Sequence, residues 1–506
     1  MFDQVMSAAL VGIEALPVRV EADVSDGLPG FSMVGSLGPQ VKEAGDRVRT
    51  ALRNVGLALP PRRITINISP ADVRKEGTRF DLPIALAILL SEAALPKTAL
   101  EGVMVLGELS LDGRINGVPG VLASVMAARD AGCRLCLVPA DNAVEAAIVT
   151  EIPSAGVATL KEAVALLKGE SAPAPLPQPA LPSEMGPLAD MSDIRGQDSV
   201  KQAAVLAAAG FHNLMMCGPP GSGKSMLARR LVTILPTLSR EERLEITKIY
   251  SAAGLLAPDH PVITDRPFRS PHHTASDRAM TGGGAVPRPG EITLAHRGVL
   301  FLDEMPEFSR NALEVLRQPL EDREITISRV AGTYHYPASF LLLGAMNPCP
   351  CGYYPDRQRC SCRPEMVRRY EERISRPLLD RFDLFVYTQA VGYEDLMKTG
   401  REGTTSAQLR ARVEKARQIQ ERRFAGSPIF FNAEIPASRL EEFCPLTEGA
   451  SALLERAFHR MGLTGRAVHR ILRVARTAAD LEEEAVIGKS HMEDALFYRL
   501  KEAGER

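Results

Sequence analysis

Apolar residues along this chain recur in two rhythms, and the dominant rhythm changes with position. Over residues 1–170, short strand-like runs alternate with helical ones. Residues 63–68 (RITINI) alternate as a half-buried strand does, and residues 81–90 (DLPIALAILL) are apolar on every side, as a buried helix is. Residues 171–187, SAPAPLPQPALPSEMGP, place prolines among small residues and read as an extended polyproline-type linker, assigned to 171–190. Between 191 and 390 the alternation of short strands and helices resumes. From 391 to 506 the pattern is almost wholly helical, as in SAQLRARVEKARQIQERRF and GRAVHRILRVARTAADLEEEA. The pattern predicts an α+β N-terminal domain, a linker, an α/β core and a C-terminal helical lid, with no repeat of solenoid period.

Composition narrows this picture. The chain has 506 residues, enough for about three domains, with 60 Lys plus Arg against 62 Asp plus Glu and a formal charge of −2. That balance excludes a protein that holds nucleic acid through bulk positive charge, so any such role falls to local patches. The first twenty residues lack a basic region and a long apolar core, so no signal peptide is expected. The longest apolar run, residues 82–90, is far short of the ~20 residues a membrane span needs. A cytoplasmic protein with no membrane partner is the expectation.

The core carries nucleotide chemistry. Strand-like residues 214–217 run into Gly218, Pro219, Pro220, Gly221, Ser222, Gly223, Lys224 and Ser225, followed by helical MLARRLVTIL. This is GxxxxGK[ST] in strand–loop–helix context. Its glycines turn backbone N–H groups onto phosphate oxygens, Lys224 is placed to reach the β- and γ-phosphates of ATP, and Ser225 to ligate Mg²⁺. Residues 298–302 (GVLFL) end in Asp303 and Glu304. A buried strand ending there sets Asp303 to hold the Mg²⁺ shell and Glu304 to polarise the attacking water. Residues 340–345 (FLLLGA) end at Asn347, whose amide can orient that water. Arg381 follows a leucine-rich turn and suits a finger donated to a neighbour's γ-phosphate; a structural salt bridge is the alternative.

Four of the eight cysteines, Cys349, Cys351, Cys360 and Cys362, form two CxC pairs eight residues apart. Four thiolates suit a closed, structural Zn²⁺ site, with reduced structural cysteines or disulfide exchange as alternatives. Arg357 and Arg359 make the intervening loop basic, and Arg363 follows the second pair as a further candidate DNA contact. Cys133 and Cys136 form a separate CxxC, read as a buried structural pair. His272 and His273 are read as local structure. Other candidate DNA contacts are Arg288 after a glycine-rich loop, and Arg329, Tyr334 and His335 on a strand pair turning at Gly332. Residues 406–424 hold six basic residues and two acidic ones, Glu414 and Glu421, a local charge of +4.

Together, residues 266–308, NPCPCGYY, RISRPLLDRFDL and RILRVARTAADLE resemble the YifB/ComM family of magnesium-chelatase-like AAA+ ATPases over essentially the whole chain. The resemblance implies a homo-hexameric ring acting on branched, single- or double-stranded DNA, a helicase promoting branch migration in natural transformation, with recombination proteins as possible partners. It makes residues 218–225 Walker A, Asp303 and Glu304 Walker B, Asn347 sensor 1 and Arg381 the arginine finger. Arg466 is the best match to sensor 2, with Arg470 and Arg473 as alternatives. Residues 193–197 resemble the segment packing near adenine, and the strand pair about Gly332 the pre-sensor-1 hairpin. The run VLGELSLDGRINGVPGV resembles the Lon protease domain, but residues 76–81 lack its serine and residues 122–128 its lysine. A Lon-like fold without peptidase activity is expected. A magnesium-chelatase-type metal-insertion motor and a protein-remodelling AAA+ ATPase are the alternatives.

Overall fold

The computed structural model describes residues 4–57, 59, 61–176, 189–257, 261–284, 287–329, 332–389 and 403–499. Most of the proline-rich linker (177–188), the junction before the helical lid (390–402) and the turn of the hairpin (330–331) lie outside the described residues.

The N-terminal region is built on a seven-stranded mixed sheet in the order Gly30–Val34, Arg63–Ser69, Glu14–Ser25, Gln4–Val11, Val103–Val105, Leu135–Pro139, Ser154–Val157. Alternation decides which side chain enters which layer. On the strand Gln4–Val11, Val5 and Ala9 enter the core under the helices Ala44–Asn54 and Asp81–Ser91, while Ala8 enters the opposite core under Val121–Asp130. The helix Asp81–Ser91 is buried from Asp81 to Leu90, as its all-round apolar pattern predicts. Its one carboxylate takes two bonds from the Arg47 guanidinium, at 2.7 and 2.9 Å.

The second region has a five-stranded, wholly parallel sheet: Phe268–Arg269, Val299–Leu302, Leu341–Met346, Leu214–Cys217, Leu384–Tyr387. Both faces are covered, so its strands read as continuous apolar runs. Val299, Phe301, Leu341, Leu343, Leu214 and Met216 point to one core; Leu300, Leu302, Leu342 and Met215 point to the other. The first strand in sequence, Leu214–Cys217, lies between the fourth and the fifth. Connections leave it in opposite directions, and the crevice beyond the carboxyl ends of such strands is where α/β sheets bind ligands.

The helices Ser406–Arg423, Glu448–Met461, Gly465–Leu481 and Lys489–Phe497 close the C-terminal end, and their apolar faces share one core with the parallel sheet. The basic run on Ser406–Arg423 is less available than its charge suggests. Arg423 pairs with the buried Asp480 at 2.7 Å, Arg417 stacks on Phe431 at 4.4 Å, and Arg410 donates to the Thr233 carbonyl at 2.9 Å. Among the described residues, no helix is long and apolar enough to cross a membrane.

Candidate functional site

Residues 218–223 form the loop between the strand Leu214–Cys217 and the helix Lys224–Leu231. Gly221 and Gly223 adopt φ of +76° and +85°, conformations that favour glycine, and a Cβ on either would meet nothing within 4 Å. Gly218 is glycine for another reason: a Cβ there would lie 2.0 Å from Thr388 Oγ1. The helix Lys224–Leu231 starts directly behind the loop and directs its N-terminus at it. Lys224 Nζ donates to the carbonyls of Gly218 (2.7 Å) and Pro219 (3.0 Å) and to Asn347 Oδ1 (3.1 Å). Burial lowers its pKa, while nearby Asp303 and Glu304 favour its charged form. An ammonium resting on neutral acceptors among open glycines is poised to exchange them for phosphate oxygens.

Ser225 Oγ donates to Asp303 Oδ2 at 2.6 Å. The pair brings a hydroxyl and a carboxylate together at the loop, a donor set that suits Mg²⁺ beside a phosphate chain. Asp303 follows the buried strand Val299–Leu302, and its Oδ1 accepts the backbone N–H of Glu304 at 3.0 Å. Glu304 sits at φ +48°, a left-handed conformation uncommon for a residue with a side chain, and is exposed. That turn leaves its carboxylate clear of the packed core.

Gln197, in the segment singled out at 193–197, and Thr388, which sequence reasoning missed, complete the loop's support. Gln197, at φ +58°, donates Nε2 to the Ser222 carbonyl at 2.9 Å, and Ser222 Oγ bonds Thr388 Oγ1 at 2.6 Å. The only advance signal for Thr388 was its place just past the end of the strand Leu384–Tyr387, beside the crevice. Residues 193–197 do reach the nucleotide loop, and Asp193 anchors them to Arg230 at 2.9 Å.

The arginines separate by environment. Arg381 is not projected: its side chain is 11% exposed and paired with Glu321 on the helix Arg317–Asp322. In this chain it therefore has the salt bridge weighed as its alternative. Arg470 is buried, donating to the Phe382 carbonyl at 3.3 Å and lying 3.9 Å from Asp383; Arg473 donates to the Ile435 carbonyl at 2.8 Å. Arg466, at the start of the helix Gly465–Leu481, is exposed and has no hydrogen bond or ion pair among the described residues. Of the three, it alone keeps its guanidinium for another molecule.

The four cysteine Sγ atoms lie within 4.8 Å of one another, with Cys349, Cys360 and Cys362 buried. The Cys349–Cys351, Cys349–Cys360 and Cys351–Cys360 separations are 3.4, 3.8 and 3.6 Å. Four sulfurs at about 2.3 Å from one tetrahedral ion lie about 3.8 Å apart, whereas a disulfide needs about 2.0 Å. Cys349 Sγ also accepts N–H groups from Gly352 (3.2 Å) and Tyr354 (3.4 Å), and the Tyr353 N–H helps hold the Cys351 thiol down to about 6. The arginines of this insert fold back: Arg359 covers the Tyr353 ring at 4.1 Å and Arg357 the Tyr354 ring at 5.2 Å.

The hairpin pairs Glu324–Arg329 with Gly332–Pro337. Arg329 is exposed and lies over Gly283 of the paired glycine-rich segment, where Gly282–Gly283 meets Arg288–Pro289. A cavity of about 350 Å³ lies between them. Arg288 is exposed, and His335 bonds Glu324 at 2.6 Å. Tyr334 is half-buried and packs near Gly12, in the turn between the first two strands. His272 and His273 stack on each other at 4.1 Å, with His272 Nδ1 bonded to Thr274 at 2.9 Å.

In the N-terminal region, the two segments compared with a Ser–Lys dyad do meet, but with other groups. Arg79, 3% exposed, lies 3.2 Å from Ser124 Oγ and also donates to the Pro119 carbonyl. Burial lowers the Arg79 pKa to about 10, opposed by the Glu145 carboxylate, so it is still a cation and no base at neutral pH. Ser124 Oγ donates to the Gly120 carbonyl at 2.8 Å and is fully buried. Glu145 accepts the Leu122 N–H at 2.7 Å and the Ser251 hydroxyl from the other region. In the CxxC, Cys136 is buried and Cys133 half-buried, with both thiols free.

Family models match three stretches of the chain: "Subunit ChlI of Mg-chelatase" over residues 20–142, "Magnesium chelatase, subunit ChlI" over 190–396, and "Magnesium chelatase, subunit ChlI C-terminal" over 403–499. The chain is 43% identical over 499 residues to the competence protein ComM of Haemophilus influenzae, covering 98% of this chain and 97% of that protein. It is 42% identical to the uncharacterized protein YifB of Escherichia coli, over 98% of this chain and 96% of the other. The 38 kDa magnesium-chelatase subunit of Cereibacter sphaeroides is 26% identical over 335 residues, 61% of this chain and 91% of that subunit.

Proposed function

The chain belongs to the magnesium-chelatase ChlI family of AAA+ ATPases, in the group of ComM and YifB, and from that membership we propose that it is an ATP-driven DNA motor, a ring helicase that promotes branch migration as incoming DNA is integrated. The observation that carries the reading is the assembled site at the carboxyl ends of the parallel strands, where Lys224 meets Asn347 and Ser225 meets Asp303. Gly218 to Gly223 wrap the phosphates of ATP and Lys224 leaves its carbonyls for the β- and γ-oxygens. Mg²⁺ held at Ser225 and Asp303 would neutralise charge on the phosphates. Glu304 orients the attacking water and accepts its proton, and Asn347 fixes the water's direction. Arg466 reports on the nucleotide from the lid. Arg381 leaves Glu321 when a neighbouring subunit presents its nucleotide, which makes hydrolysis depend on the homo-hexameric ring.

The glycine-rich segment and the hairpin offer Arg288 and Arg329 to DNA. The four cysteines would hold a structural Zn²⁺. The N-terminal region has a Lon-like fold that scaffolds the ring and has no peptidase activity, since Arg79 and Ser124 supply no base. The experiment is ATP-dependent unwinding of forked and four-way DNA by the wild-type chain and by Lys224→Ala. Unwinding by the wild type alone is expected, and none by the wild type overturns the reading. The 26% likeness to a chelatase subunit favours a metal-insertion motor as the second reading. ATPase activity stimulated by a porphyrin-binding partner but not by DNA would select it.

A further inference from the structure

The cysteine insert does not stand apart from the nucleotide loop. Gly352, between Cys351 and Tyr353, adopts φ of +88° and is buried. A Cβ on it would lie 2.5 Å from Pro220 Cδ and 3.2 Å from Cγ, so backbone of the insert is pressed against the proline of the nucleotide loop. That contact is held in place from the cysteine side. The Gly352 N–H donates to the Cys349 carbonyl at 2.9 Å and lies 3.2 Å from Cys349 Sγ. The same element reaches the site a second way. Cys349 lies two residues after Asn347, the acceptor for Lys224 Nζ. The helix Pro364–Glu371 sets Val367 on the cysteine cluster and Tyr370 against the backbone of Asn347. Thr388 and Gln197 cover the loop at Gly218 and Ser222, while Cβ positions on Gly221 and Gly223 face open space.

We infer that the four-cysteine insert is a metal-dependent brace for the nucleotide loop, in which Zn²⁺ on Cys349, Cys351, Cys360 and Cys362 holds Gly352 against Pro220 and so keeps the loop in its phosphate-binding form. This rests on reading the cysteines as a zinc site and residues 218–225 as the ATP site. Free of metal, the CxC turns have no common ligand to hold them, the contact at Pro220 loosens, and the loop pays an ordering cost when nucleotide binds. Nucleotide affinity is then linked to zinc occupancy, and by reciprocity bound nucleotide raises zinc affinity by the same factor.

The test uses the full chain, purified anaerobically, with zinc measured by elemental analysis and nucleotide affinity by a fluorescent ATP analogue with Mg²⁺. One zinc per chain is expected, with affinity weakened about tenfold after chelator stripping and restored by added Zn²⁺. Gly352→Ala is the second arm. It keeps all four cysteines and the zinc but sets a methyl group against Pro220, and affinity again weakens about tenfold. If stripping unfolds the chain, as circular dichroism would reveal, the Gly352→Ala arm decides. Unchanged affinity in zinc-loaded Gly352→Ala, or in folded stripped protein, overturns the brace. Well under one zinc per chain overturns instead the metal reading beneath it, and loss of all nucleotide binding by the zinc-loaded wild type overturns the ATP-site reading.

Discussion

Two sheets in this molecule bring polar side chains together at the ends of their elements, and they do so in opposite manners. At the parallel sheet, Ser225 and Glu304 are exposed and Lys224 rests on neutral acceptors, so the site has unfilled bonding capacity directed at solvent. In the N-terminal sheet, Arg79, Ser124 and Glu145 are buried and bonded to one another's surroundings and to Ser251 across the seam. Both are polar clusters of the kind that a sequence motif marks. The difference is whether the bonds close within the chain. Closed bonds make a structural lock, and bonds left open at a crevice make a reaction site.

The largest expected effect is on the open cluster. Lys224→Ala removes the phosphate-binding ammonium, and Glu304→Gln removes the proton acceptor while keeping nucleotide binding; each lowers phosphate release by about 10²-fold or more. Equal turnover in Glu304→Gln and wild type would erase the distinction between the two clusters. In the closed cluster, Arg79→Ala leaves the buried Glu145 without its neighbouring cation and lowers unfolding free energy by about 3–5 kcal/mol, read as a shifted urea midpoint. Nucleotide affinity of the folded fraction stays at the wild-type value.

A smaller pair of effects divides the lid arginines. Arg466→Ala slows turnover about tenfold with an unmoved urea midpoint. Arg470→Ala, which strips a buried partner from Asp383, lowers stability by about 2–3 kcal/mol. The reverse assignment of the two outcomes would transfer the nucleotide-sensing role to Arg470. The smallest effect is on acid stability. Burial raises the Glu245 pKa, but His296 and Arg297 outweigh it and bring the carboxyl to about 2. A depressed folded-state pKa gives stability that is complete above the ordinary value of about 4.3 and is lost as pH falls toward about 2. Glu245→Gln therefore flattens the acid-unfolding curve within that window and leaves it unchanged above about pH 5.

The open cluster was more legible in sequence than the closed one, for a physical reason. A phosphate-binding loop needs glycines, lysine and hydroxyl at fixed local spacing, and a buried strand ending in Asp announces itself by its apolar run. The hairpin was legible from its alternation, although Gly332, expected at the turn, pairs with Arg329 within the ladder. What failed to show was what distant chain segments do to a side chain. The basic run at 406–424 looked like a charged face, yet the Phe431 ring just beyond it and Asp480, far along the chain, turn Arg417 and Arg423 inward. Tyr334 looked available until the turn at Gly12 covered it. Arg381 carried its motif faithfully, but its ion pair with Glu321 arises from a helix sixty residues earlier. Thr388 supports the loop from an element 166 residues from Ser222, a distance no local pattern spans.

The seam between the two sheets also has a mechanical meaning. The helix Arg240–Ala253 is tied to the N-terminal region by Ser251 to Glu145, by the Ser251 carbonyl to Gly120 N–H at 3.0 Å and by Lys248 to Glu14. It is tied to its own core by Glu242 to Arg266 at 3.0 Å and by Glu245 to Arg297 at 3.0 Å. A beam pinned along both sides transmits rotation without slack. The edge strand Gly30–Val34 lies three strands from Gln4–Val11. At about 4.8 Å per strand that is about 14 Å, so a core rotation of about 15° sweeps the edge through about 4 Å. By geometry alone, a tilt of that helix would displace the edge strand of the N-terminal sheet further than the strands beside the seam.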